Sequence, residues 1–123
     1  MKLHIYVAQK SIYLSNAFYR YLDNQRRDSL VVKSSVRVAL FGIGRAGSIH
    51  LANIIANPGV ELAYVVESDS SISDGCRTKW NLNDTTFLHP DDVSKVYEDS
   101  GVDASIICTP TFTHEEYIMG SLK

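Results

Sequence analysis

The sequence predicts an α/β fold: a doubly wound parallel sheet of about four strands, in the order 3-2-1-4, preceded by an N-terminal extension. Three observations support this. From Val36 onward, short apolar runs alternate with stretches of helical spacing, which implies βαβ units, right-handed crossovers and parallel pairing. The first run ends directly in Gly42-Ile43-Gly44-Arg45-Ala46-Gly47, a glycine-rich passage from strand to helix. The length of 123 residues suits one domain with an apolar core and is too short for two.

Residues 1–35 form the extension, expected to be partly helical or disordered. No Gly or Pro punctuates it before Val36. Leu14, Ala17, Phe18, Tyr21 and Leu22 recur at helical spacing, the pattern of a short amphipathic helix. Lys2, Lys10 and Arg20 precede the first acid, Asp23, a faint likeness to a mitochondrial presequence. The preferred reading is an extension without function on a cytoplasmic protein, with a mitochondrial location as the lesser alternative.

Residues 36–123 are expected to form the folded domain. Val36 to Phe41 is an apolar run of the kind found in buried parallel strands. Ile49, Ala52, Ile55 and Ala56 fall at helical spacing in 47–56, and Asn57-Pro58-Gly59 stops that helix. Leu62 to Val66 is the second strand and leads into Glu67. Ser71 with Asp74 suggests a capping box, hence a helix over about 72–80. A brief strand follows at Thr86–Leu88. Pro90, Asp91 and Asp92 then open a third helix, with acids facing its positive end. Ala104 to Cys108 is the fourth strand, broken by Thr109-Pro110, and Thr113 with Glu116 suggests a cap for the last helix.

Composition narrows the function classes. Hydrophobic residues make up 45% and charged residues 21%, the balance of a globular domain. A net charge of −2 supplies no basic field, so neither nucleic acid nor an anionic membrane is an expected partner. No run reaches the ~20 apolar residues of a membrane span. Cys76 and Cys108 form no C-x-x-C pair and the four histidines do not cluster, so no metal site is expected and the cysteines read as free thiols in a reducing compartment.

The chemistry lies in the glycine turn. G-x-G-x-x-G after a strand and opening a helix is the dinucleotide-binding signature of the Rossmann fold. Gly42 permits the tight turn, Gly44 lets the backbone approach a diphosphate, and Gly47 allows close helix–strand packing, while the helix N-terminus offers N–H groups to the anion. Glu67 stands twenty residues after Gly47, at the tip of the second strand, where a carboxylate accepts hydrogen bonds from the adenosine ribose. The plainer alternative for Glu67 is a solvated strand end. A carboxylate there repels a 2′-phosphate, and the nearest downstream base, Arg77, is ten residues on, so NAD is expected over NADP. A methyltransferase is disfavoured because Leu40-Phe41 stand where those enzymes carry an acid, and a P-loop is excluded because no Gly-Lys-Ser/Thr follows. Gly42, Ile43, Gly44, Arg45, Ala46, Gly47 and Glu67 are therefore the candidate cofactor residues.

Three stretches resemble the Gfo/Idh/MocA oxidoreductases, especially the inositol-dehydrogenase-like members. Val38 to His50 is similar to that family's opening strand, loop and helix, including Arg45 and His50. Tyr64 to Asp69 resembles its second strand, where the acid is more often Asp. Asp103 to His114 resembles its fourth strand and Thr-Pro-x-x-x-His turn. The resemblance implies that Thr109, Pro110, Thr111 and His114 line the cofactor groove. For His114, a plain helix-start residue beside Thr113 is an equal reading, and Cys108 reads as core. The family's fifth strand, its Glu-Lys-Pro motif with the catalytic lysine, and its substrate domain do not occur in these residues.

The resemblance thus implies the NAD-binding, N-terminal part of an oxidoreductase acting on CH–OH groups of cyclitols or sugars, with a small polyol or sugar as substrate only in a full-length form. No catalytic residue is identified in the chain itself. The alternative is a non-catalytic nucleotide-binding module or an inactive truncated product. The final helix shows no stop signal, and a continuation with a further strand and Glu-Lys-Pro is expected of the parent gene. Self-association through the uncharged edge of the fourth strand is also expected.

Overall fold

The computed structural model describes residues 35–123; the helix expected at Leu14–Leu22 lies outside the described residues. The order of elements is β1 Val36–Phe41, α1 Arg45–Ala56, β2 Val60–Val66, α2 Ser70–Trp80, β3 Thr86–Leu88, a 3₁₀ turn Pro90–Asp92, α3 Ser94–Glu98, β4 Ala104–Ile107, a second 3₁₀ turn Thr111–Thr113, and α4 His114–Leu122. The four strands form one sheet in the order β3-β2-β1-β4, and β1–β2, β1–β4 and β2–β3 all pair in parallel. This is the doubly wound sheet that the alternation of runs predicts.

Period two along β1 supplies both cores. Val38 and Leu40 turn to one face, where they meet Leu51 and Ile54 of α1, with Cys76 and Trp80 of α2 packed alongside. Ala39 and Phe41 turn to the other, where they meet Val96 of α3 and Tyr117 of α4. Phe41 lies 5.1 Å from the Tyr117 ring. All four of these β1 side chains are 0% exposed; fully burying a residue such as Leu40 or Phe41 contributes roughly 1.5–3 kcal/mol.

The lower end of the sheet is tied by polar contacts. Arg37 Nε donates to Glu61 at 3.3 Å and its Nη1 to Asp99 at 3.5 Å. Asp99 also accepts from the Tyr64 hydroxyl at 2.8 Å and from Gly101 N–H at 2.8 Å. The Asp103 carboxylate accepts from Arg37 N–H at 2.9 Å.

Several element details differ from the sequence reading. The face of α1 that is buried carries Gly47, His50, Leu51 and Ile54, whereas Ile49 and Ile55 are 41% and 37% exposed. Gly47 sets this rotation, because a Cβ there would run into the Gly42 carbonyl oxygen; positions three, four and seven residues on then turn inward with it. Helix α2 is capped by Asp69, whose carboxylate accepts from Ser71 and Ile72 N–H, and not by a Ser71–Asp74 box. It ends on Asn81 in the left-handed region, φ 53°, a conformation Asn tolerates. The third helical stretch divides into a 3₁₀ turn and a five-residue α3. Thr113 does not cap α4 with its side chain; its hydroxyl donates to the Pro110 carbonyl at 2.6 Å and shares a hydrogen bond with the Thr109 hydroxyl at 2.7 Å.

Candidate functional site

The site lies at the carboxyl ends of β1, β2 and β4, where an open α/β sheet binds its ligands. Gly42 N–H donates to the Val66 carbonyl at 2.8 Å, and Cys108 N–H to the Phe41 carbonyl at 2.7 Å, so the three strand ends are joined just below the turn. The chain then leaves the sheet at Gly42, φ +84°, a conformation that L side chains rarely adopt. A Cβ on Gly42 would also stand 3.0 Å from the Cys108 carbonyl oxygen and 3.1 Å from Thr109 Cγ2. The end of β4 therefore abuts the glycine turn, bringing Thr109 against Gly42.

Gly42 makes the tight turn and Gly47 the close approach that the spacing predicts, with one refinement. Gly47 is required for contact with the Gly42 carbonyl of the turn itself, beyond helix-to-strand packing. Gly44 has nothing within 4 Å of an added Cβ, so its backbone is open to a ligand. It is the N-cap of α1, with no side-chain cap hydrogen bond and no acid in the first turn. The leading N–H groups of this twelve-residue helix are thus left for an anion, together with the positive end of the helix dipole. Arg45 is exposed at the helix start and Ala46 half-buried against the core.

Glu67 extends from β2 toward this turn. Its Oε2 accepts from Ile43 N–H at 3.0 Å, and its Oε1 from Asp69 N–H at 3.1 Å and the Ser68 hydroxyl at 3.3 Å. A carboxylate has about four lone-pair sites, so capacity remains for a ribose hydroxyl. Arg77 stacks on the Phe87 ring at 4.7 Å and pairs with Asp74 at 3.4 Å, engagements that do not involve Glu67.

The Thr-Pro turn is braced internally. His114 Nε2 lies 2.6 Å from the Thr109 carbonyl oxygen; a carbonyl only accepts, so Nε2 carries the hydrogen. Pro110 and Thr111 are exposed. Cys108 is buried in the core, where desolvation pushes its thiol up to about 12. Burial likewise lowers the pKa of His50. Sequence reasoning missed Ser48, whose hydroxyl donates to the Ile43 carbonyl at 3.0 Å; a serine after the last glycine carries no local signal of that contact.

These residues fit a dinucleotide: an open glycine backbone at an uncapped helix start, with a carboxylate from the neighbouring strand beside it. Fold and site together define a dinucleotide-binding domain. Residues 36–123 match the family GFO_IDH_MocA, described as "Oxidoreductase family, NAD-binding Rossmann fold", and the chain belongs to that family. The scyllo-inositol 2-dehydrogenase (NAD(+)) of Bacillus subtilis is 32% identical over 89 residues, 72% of this chain and 25% of that protein. The myo-inositol dehydrogenase of Corynebacterium glutamicum superposes with a TM-score of 0.54 at 31% identity, over 68% of this chain and 23% of that one. The myo-inositol dehydrogenase of Lactobacillus casei, solved with NAD(H) and myo-inositol, gives a TM-score of 0.63 at 20% identity, over 72% of this chain and 25% of that one. At that identity the likeness shows the fold alone. The chain spans about a quarter of the length of the relatives it matches.

Proposed function

We propose that residues 36–123 hold NAD as the cofactor-binding part of an oxidoreductase acting on CH–OH groups of cyclitols or sugars. One observation carries the reading: the uncapped start of α1 over the open backbone of Gly44, with the Glu67 carboxylate hydrogen-bonded to the same turn. The N–H groups at Gly44–Gly47 hold the diphosphate, with Ile43, Arg45 and Ala46 shaping its seat. Glu67 accepts from the ribose hydroxyls and repels a 2′-phosphate. Thr109, Pro110, Thr111 and His114 flank the groove beyond Gly42. When bound, NAD supplies a hydride acceptor at its nicotinamide ring. The cyclitol or sugar class is supported by the names of the relatives, which are inositol dehydrogenases.

Titration of the chain with each nucleotide tests the reading. NAD should bind more tightly than NADP, and Glu67→Ala should narrow the difference. Equal affinities in the unsubstituted chain would remove the role given to Glu67.

Self-association through β4 belongs to the same proposal. Among the described residues β4 has β1 as its one strand neighbour, and Ala104-Ser105-Ile106-Ile107 carries no charge to deter a second copy from adding its own strand. Exposed Met119 and Leu122 on α4, which packs beside β4, add apolar surface on that side.

A further inference from the structure

Glu67 is tied to the glycine turn by more than proximity. The Gly42 N–H to Val66 carbonyl bond is a backbone link between the ends of β1 and β2. One residue further the chain has turned out of the sheet at φ +84°, and the Ile43 N–H is taken by a side chain instead, Glu67 Oε2 at 3.0 Å from 24 residues away. The Ile43 carbonyl is taken by another side chain, the Ser48 hydroxyl at 3.0 Å. Both backbone polar groups of Ile43, a residue 4% exposed, are thus satisfied within the protein.

We propose that Glu67 is a positioning residue for the glycine turn, holding it in its binding shape before any nucleotide arrives. The bond from a backbone N–H to a carboxylate is charge-assisted and stronger than a neutral one. Preordering the turn removes an ordering cost that binding would otherwise carry. The length of the side chain is what permits this. An aspartate at 67 would keep the local bond to Asp69 N–H as an Asx turn, but its carboxylate would stop one methylene short of Ile43. The tie exists without nucleotide and is tested without one; only its use in binding rests on the proposed function.

Amide hydrogen exchange read by NMR on the full chain, free of nucleotide, decides the matter, with Leu40 and Val65 amides as internal references. In Glu67→Asp, exchange at Ile43 should accelerate about tenfold or more relative to those core amides, the weight of one charge-assisted hydrogen bond. Glu67→Ala should do the same, and Glu67→Asp carries the test if the alanine variant fails to fold. An unchanged Ile43 rate, or an equal acceleration at every amide, overturns the proposal. With the tie established, Glu67→Asp should bind NAD several-fold more weakly while still preferring it to NADP, because the negative charge stays. Acceleration at Ile43 in a chain that binds neither nucleotide would leave the tie standing and sink the dinucleotide reading instead.

Discussion

Three glycines five residues apart from first to last carry different physical burdens, and substitution separates them. Gly44 meets open space and sits at φ −70° as the N-cap of α1, so Gly44→Ala should fold with a urea midpoint lowered only modestly, Ala being the poorer N-cap, yet lose dinucleotide affinity, since its methyl would occupy the proposed diphosphate seat. Gly42→Ala must hold a side chain at φ +84° against the Cys108 carbonyl and should lose roughly 1–2 kcal/mol of stability from the left-handed conformation alone. Gly47→Ala should be the most damaging, because its methyl overlaps the Gly42 carbonyl oxygen and the backbone itself must move. Chemical denaturation beside NAD titration reads all three. A Gly44→Ala chain that binds NAD normally would remove that glycine from the site. The motif's spacing made the turn at Gly42 and the close approach at Gly47 legible in advance, except that Gly47 presses on the turn's own carbonyl, a contact across five residues that periodicity does not contain.

Single elements were legible in type and less so in orientation. Strand β1 ends in the unbroken apolar run Val38–Phe41, buried on both faces and so without polar alternation, while Arg37 interrupts the run at the half-buried start of the strand. Helix α1 was legible as a helix, but its inward face was not, since Ile49 and Ile55 are more apolar than His50 and yet point outward. Contact at Gly47 outranks hydrophobicity there. The tie below the sheet offers a test at this scale. Gly101 N–H, then the Tyr64 hydroxyl, with Arg37 adding its charge, hold the Asp99 carboxyl below its ordinary value. A carboxyl depressed in the folded state stabilises fully above its unfolded pKa, about 3.9, and the contribution fades as pH falls through the folded value. Asp99→Asn should therefore lower the urea midpoint at pH 7, with the gap to the parent chain shrinking near pH 3. A gap of the same size at both pH values would show that the charge of Asp99 contributes nothing.

For the whole molecule, the proposal of self-association through β4 makes a plain prediction. Sedimentation velocity should show a mass that rises with protein concentration, and replacing exposed Met119 and Leu122 by Lys should weaken that rise by breaking the apolar surface beside the strand. A single monomeric species across the concentration range would contradict it.

The sequence by itself determined the class of fold, the strand order and the place of the glycine turn. Each follows from local signals: apolar runs of strand length, helical spacing between them, and glycines at fixed offsets ahead of Glu67. Only the tertiary structure decided which side chain meets which. Glu67 reaches Ile43 over 24 residues, Asp69 takes the cap that Ser71 was expected to hold, and His114 folds back on the Thr109 carbonyl. The physical reason is common to all three. A hydrogen bond forms where a donor and an acceptor come within about 3 Å in good alignment, and that depends on how strands and turns are brought together, which no residue's own propensity specifies.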